Sequence, residues 1–264
     1  DPIWPNHGIR ILPGRSSMWF DARGNRFPAP SLPGFDSLGS LKMILDTGFD
    51  YSWFITTQKI VKKEFALSGS EQNPDFADKS WVKVVQQRIL NKAATPAVEA
   101  FKEHGENFVV AQTLPELIAK MNGMEGNDLL SPDKIEAEIK ARDMQVDNNF
   151  SKDAQIMAIH AARNYRGDKL QRTAKLHKIL DPANGPLIGV KLNIITRKTL
   201  GGLHTNLDSQ MLDASGVPIP GLFAAGEVAG FGGGGYHGYN ALEGTFLGGC
   251  IFSGRQAGRA DTIA

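Results

Sequence analysis

Cysteine is nearly absent from this chain. Cys250 is the only one in 264 residues, so no internal disulfide and no cysteine-based metal site can form. Charge of one sign is missing too. Lys and Arg total 29 against 28 Asp and Glu, a formal net charge of +1, which gives no electrostatic basis for holding nucleic acid or an anionic membrane surface. No apolar run approaches the ~20 residues that span a bilayer. The opening residues do not read as a secretory signal, and there are no internal repeats. A globular protein with chain enough for one good core or two modest ones is expected, in a cytoplasmic location.

An initiating Met is also lacking. The chain opens DPIWPNHGIRILPG, with two prolines in its first five residues. It is expected to be the interior of a longer protein, entered within a loop, a processed N-terminus being the alternative. Glycine, by contrast, is plentiful: 29 residues, with 14 prolines. Their scatter marks loops rather than a low-complexity tract.

Residues 16–29, SSMWFDARGNRFPA, predict a hairpin with an Ala-Arg-Gly-Asn turn. YSWFITTQKIVKKEF (51–65) places aromatic and β-branched residues before a charged helical stretch, and residues 80–92 and 96–104 have helical spacing. Two helix starts are explicit. In TLPELIAKMNGM, Thr113 is a cap with Pro115 in the first turn and Glu116 three residues on. In SPDKIEAEIKARDMQVD, Ser131 is the cap and Pro132 the first helical position, with Ile135, Ile139 and Met144 as its apolar positions. After Asn184 the character changes: GPLIGVKLNIITRKTLGGLHTN is rich in strand formers, and SGVPIPGLFAAGE predicts a turn and a short buried strand. A final small-residue helix over 242–262 carries glycines at 244, 248, 249, 254 and 258. Glycine weakens a helix, and such a row makes sense where something large and flat packs closely. The expected fold class is α+β, with a boundary near 184: a mostly helical domain over 1–184 and a compact β/α tail over 185–264.

The segment GLFAAGEVAGFGGGGYHGYNALEGTFLGG (221–249) contains the pattern G-x-G-x-x-G at Gly230, Gly232 and Gly235. A dinucleotide fingerprint needs a following strand and an acid about 20 residues further on to hold the ribose. Here the terminal helix follows, and the well-placed acid, Glu227, precedes the glycines. A plain glycine linker fits poorly between a strand and a helix. The remaining reading is a loop whose backbone approaches a ligand and leads into a helix N-terminus that favours negative charge.

GLFAAGEVAG…HGYNALEGTFLGGCIFSGRQAGRA resembles the C-terminal FAD-binding segment of the flavoprotein family that contains fumarate reductase, flavocytochrome c and 3-ketosteroid dehydrogenase. The chain is most similar to the 3-ketosteroid dehydrogenase-like branch. The resemblance extends back through GPLIGVKLNIITRKTLGGLHTN and TLPELIAKMN to the hairpin FDARGNRF. It implies a capping (substrate) domain over 1–184, with an N-terminal linker, followed by the C-terminal part of an FAD-binding domain. The family's true dinucleotide fingerprint would lie in an N-terminal half not contained in these residues. The implied cofactor is FAD, and Gly226, Glu227, Asn240, Ala241, Gly244, Thr245, Phe246 and Leu247 match its binding segment. Glu227 would accept hydrogen bonds from ribityl hydroxyls, the alternative being a turn-capping acid. The backbone at Phe246 and Leu247 would lie along the flavin's pyrimidine edge, while Phe246 can equally be core.

Departures from the family narrow the chemistry. Where fumarate reductases carry a substrate-clamping arginine, this chain has Ala241. Lys198, beside Arg197, replaces a histidine, and no arginine follows the hairpin in RFPAPSLPGFD. Fumarate reduction is therefore not expected, and a neutral, apolar ketone-type substrate is. Such chemistry needs a proton acceptor or hydrogen-bond donor beside a carbonyl and a flavin that takes hydride from the neighbouring carbon. Tyr239 is a candidate for the first role, or a buried hydrogen bonder. His237 is a candidate acid/base, or a structural turn residue. Lys198 is a candidate to polarise the carbonyl or stabilise reduced flavin, or a solvated lysine at a strand end. Tyr51, Trp53 and Phe54 are candidates to line a lid, or plain core.

The expectation is thus an FAD-dependent dehydrogenase acting on a C–C bond next to a carbonyl, with these 264 residues inactive by themselves. A non-enzymatic binding module that reuses the cap domain, and a fumarate reductase-like enoate reductase, are the alternatives. Exposed edges and apolar surface in the tail predict self-association.

Overall fold

The computed structural model describes residues 15–65, 80–86, 90–91, 93–194, 202–230 and 246–260. The chain divides into two compact units. The first runs through Ile194 except for Asp36–Leu38, which group with the second, 195–264.

An antiparallel sheet organises the first unit, in the order β1-β2-β4-β3: β1 (Met18–Asp21), β2 (Tyr51–Thr57), β3 (Phe108–Ala111) and β4 (Leu187–Asn193). Around it lie α1 (Ser37–Asp46), α2 (Gln58–Glu64), α3 (Trp81–Val85), α4 (Pro96–His104), α5 (Leu114–Glu125), α6 (Pro132–Met144) and α7 (Ala154–Ala162). Alternation along β2 feeds two cores, because successive side chains leave opposite faces of a strand. Tyr51, Trp53 and Ile55 join Met18, Phe20, Leu117, Ile118, Met121, Ile135 and Ile139. Phe54 on the other face joins Val61, Phe65, Val98, Phe101, Ile188 and Val190. Antiparallel sheets often leave one face wet, but here both are covered and all seven residues of β2 are buried. Gly189 makes the close packing possible. A Cβ there would stand 2.9 Å from Met121 Sδ and 3.0 Å from Val109 Cγ2.

Local signals placed their elements where expected. The hairpin turns at Gly24, φ +74°, and Asp21 Oδ1 accepts from the N–H groups of Arg23 and Asn25, both at 2.8 Å. Thr113 and Ser131 cap α5 and α6 by accepting from Glu116 and Lys134 N–H, and Glu116 reaches back to accept from Gln112 N–H at 3.2 Å. The domain boundary differs from expectation. It falls after Ile194 because Leu187–Asn193 is an inner strand of the first sheet, paired with β2 along its whole length. Its partners are remote in sequence, so nothing local reveals where it belongs.

The segment 173–184, free of strand and long helix, is held by buried side chains. The Glu64 carboxylate accepts from Ser16 N–H (2.9 Å), Ser16 Oγ–H (2.6 Å) and Ala174 N–H (2.6 Å); burial raises its pKa, against those hydrogen bonds. Asp143 accepts from Ile179 and Leu180 N–H at 2.9 and 3.0 Å and from Arg142 at 2.8 Å. His177 lies between Lys175 O and Thr57 Oγ1, both 2.9 Å away. The carbonyl can only accept, so Nδ1 carries the proton and Nε2 accepts from the Thr57 hydroxyl. Burial, aided by Lys59 and Arg142, holds this imidazole below its ordinary pKa.

In the second unit β5 (Gln210–Leu212) and β6 (Pro218–Phe223) form a two-stranded ladder. Its turn is built on Asp213, whose carboxylate accepts from Ser215 and Val217 N–H at 2.8 and 2.9 Å. β6 was expected to be buried and is instead mostly exposed. Its one partner among the described strands pairs along its edge, which covers backbone rather than the side chains on its faces. The last helix, α8, runs Phe246–Ala257 within the expected 242–262.

Candidate functional site

The chain leaves β6 through the buried Ala224 and enters a short 3-10 turn, Gly226–Ala229, which packs against α8. Gly226 has φ +75°, a left-handed conformation that costs any residue with a Cβ about 1–2 kcal/mol. Its N–H donates to Ser253 Oγ on α8 at 2.8 Å. From the other side Leu203 N–H donates to Val228 O at 2.8 Å, and Gly230 N–H closes the turn on Glu227 O at 3.0 Å. The backbones of 202 and 229–230 come so close that a Cβ on Gly202 would collide with the nitrogen of Gly230. The turn is therefore tied on both flanks.

Glu227 stands on this turn, exposed, and its carboxylate takes no hydrogen bond from the described residues. The turn has no side-chain cap hydrogen bond, so the alternative role as a capping acid finds no support there. Leu247, near the start of α8, is 71% exposed. Gly248, Gly249 and Gly254 on the same helix would meet nothing within 4 Å if each carried a Cβ. The structure thus joins the Gly226–Glu227 turn to the helix that bears Phe246 and Leu247. Lys198, His237, Tyr239, Asn240, Ala241, Gly244 and Thr245 lie outside the described residues, as does the side chain of Phe246.

The lid reading of Tyr51, Trp53 and Phe54 is corrected. They are 5%, 1% and 5% exposed on the inner strand of the first sheet, where Tyr51 and Trp53 meet edge to face with centroids 5.7 Å apart. Sequence reasoning also missed Ser209 and Ser253. Ser209 has φ +62° without being glycine, is 3% exposed, and donates from Oγ to Ser253 O at 2.9 Å. No composition signal marks either residue: a lone serine in a loop and another in a helix are ordinary.

Residues 1–247 match the FAD binding domain family. The chain belongs to that family. It is 56% identical over 259 residues to a KsdD-like steroid dehydrogenase of Mycobacterium tuberculosis, covering 98% of this chain and 46% of that protein. A KsdD-like steroid dehydrogenase of Mycolicibacterium smegmatis is 57% identical over 247 residues, 94% of this chain and 45% of the relative. The chain thus spans about half the length of the curated relatives it matches. Among solved structures, the 3-ketosteroid delta1-dehydrogenase of Sterolibacterium denitrificans, in complex with 1,4-androstadiene-3,17-dione, aligns with a TM-score of 0.58 at 17% identity, over 96% of this chain and 41% of that one. At that identity the likeness is one of fold.

The described residues fit the family's cofactor. An exposed carboxylate uncommitted among them is a suitable acceptor for the hydroxyls of a ribityl chain. Gly248, Gly249 and Gly254 leave the α8 backbone open to a flat group.

Proposed function

We propose that these residues work as the capping domain and the C-terminal part of the flavin domain of an FAD-dependent dehydrogenase that oxidises a C–C bond next to a carbonyl, with an apolar, steroid-like ketone as substrate. The observation that carries this is 56% identity over 98% of the chain to a KsdD-like steroid dehydrogenase. In this scheme Glu227 binds ribityl hydroxyls and the α8 backbone lies along the flavin ring. FAD, when bound, supplies the acceptor for hydride. The Tyr239 hydroxyl and the Lys198 ammonium are assigned to the substrate's carbonyl oxygen, and His237 to the proton leaving the adjacent carbon. Ala241, with no charge to offer a carboxylate, favours this neutral substrate over an unsaturated dicarboxylate.

The experiment joins this chain to the N-terminal half of the Mycolicibacterium smegmatis relative and compares it with the 264 residues alone. The joined protein is expected to purify with stoichiometric visible flavin absorbance and to reduce an artificial electron acceptor when given a 3-ketosteroid. The chain alone is expected to hold FAD weakly and turn over nothing. A joined, folded protein without flavin refutes the cofactor assignment; one with flavin but active only on dicarboxylates refutes the substrate.

A further inference from the structure

We propose, on the flavin assignment above, that Ser253 is a positioning residue for the cofactor and that Ser209 holds it in place. The Ser253 hydroxyl both donates and accepts. It donates within α8 to Gly249 O at 2.8 Å, with Cys250 O further off at 3.4 Å, and accepts from Gly226 N–H at 2.8 Å. A helical serine that bonds back to its own preceding turn normally gives a small destabilisation. Here that bond leaves the oxygen's lone pairs to accept from the Gly226 N–H of the Glu227 turn.

Ser209 completes the tie. Its Oγ donates to Ser253 O while its own carbonyl accepts from Ala224 N–H at 3.0 Å, two residues before Gly226. One buried residue in a strained left-handed conformation thus grips both the chain entering the turn and the helix beside it. Strain of this kind costs about 1–3 kcal/mol and persists only where surrounding contacts impose it. What the tie fixes is the relation between the backbone that bears Glu227 and α8. These are the two groups that must meet one cofactor at once, and fixing them before binding spares the cofactor the cost of ordering them. Ser253 touches no reacting atom; it acts through Gly226 and Glu227.

The test follows the Gly226 amide and flavin affinity together. In Ser253→Ala of the 264-residue chain, Gly226 hydrogen exchange should quicken about tenfold or more. In the joined protein the same variant should bind FAD about tenfold more weakly, the size of one lost hydrogen bond, with only a small fall in the melting point of the apo protein. Ser253→Thr, which keeps the hydroxyl, should restore both. Ser209→Gly tolerates the left-handed backbone and removes the side chain, hydroxyl included. It should shift both readouts in the same direction, and it serves in place of Ser253→Ala if that variant does not fold. Faster Gly226 exchange with unchanged FAD affinity overturns the positioning role, as does no change in either, and both leave the flavin assignment standing. An unsubstituted joined protein that binds no flavin removes the assignment and this proposal with it.

Discussion

Strands β2 and β6 show how differently the two units are built. Every residue of Tyr51–Thr57 is buried between two helical layers, whereas Pro218–Phe223 is mostly exposed and carries Leu222 at 47%. Leu207, Leu247, Ile251 and Phe252 in the second unit are 84%, 71%, 62% and 57% exposed. The first unit encloses its own core. The second, among its described residues, is tied by hydrogen bonds to turns and leaves several of its large apolar side chains outside. Burial of apolar area is the main stabilising term in a fold, so side-chain truncation should be felt strongly in one unit and barely in the other.

The sharpest way to break that contrast is Trp53→Ala. It removes a 1%-exposed indole from the inner strand and should cost about 3–5 kcal/mol, measured by urea unfolding with near-ultraviolet circular dichroism. A loss below 1 kcal/mol there would mean that the first unit's core does not carry its stability. Asp143→Asn comes next. It places an amide against Ile179 or Leu180 N–H and removes the charge partner of the fully buried Arg142, for an expected loss of about 2–3 kcal/mol. In the second unit the backbone, not packing, should be the sensitive element. Gly226→Ala meets only an ordinary 3.4 Å contact with Cys250 Sγ but forces a Cβ into φ +75°, worth about 1–2 kcal/mol.

Acid should separate the units further. His177 is buried neutral, its pKa lowered first by desolvation and then by Lys59 and Arg142. Its contribution to stability is complete above the unfolded imidazole value of about 6.5 and is lost as pH falls through the lower folded value, because the unfolded chain then takes up the proton more readily. Glu64 runs the other way. Its raised folded pKa gives a contribution present at acid pH and lost as pH rises through that value. Below neutrality the His177 loss should therefore appear in a pH series of unfolding midpoints, and His177→Gln should flatten it. An unchanged slope in that variant would assign the acid sensitivity elsewhere.

What could be read from the residues alone follows the same division by range. Thr113 with Pro115 and Glu116, or Ser131 with Pro132, mark helix starts because cap, proline and acid act within one turn. The hairpin at Gly24 is equally local. The place of β4 was not legible, since its partners Tyr51–Thr57 and Phe108–Ala111 are far away in sequence. Nor was the burial of Tyr51, Trp53 and Phe54, for aromatic residues line clefts and fill cores alike, and only the helices on both faces decide between them. At the candidate site, a family pattern picks out Glu227 and the helix after it, and the structure packs that turn on that helix. The Ser209–Ser253–Gly226 tie was not legible, because it joins residues 44 and 27 positions apart through hydroxyls that leave no periodic trace.

The smallest expected effect on stability is also the most telling about the second unit. Leu247, Ile251 and Phe252 share the exposed side of α8, away from the Cys250 and Ser253 side that meets the Gly226 turn. Changing all three to Ser removes apolar surface that the described residues do not cover, so unfolding free energy should move by no more than about 0.5 kcal/mol per site. Association should respond far more. Exposed apolar side chains clustered on one helix face favour contact between copies, and sedimentation velocity of the 264-residue chain should show concentration-dependent oligomers that the triple variant lacks. A parent chain that stays monomeric at high concentration would show that this face is not sticky in water. A triple variant that unfolds would show that α8 is packed on that side after all, and the contrast between the two units would then fail at the helix on which the flavin assignment depends.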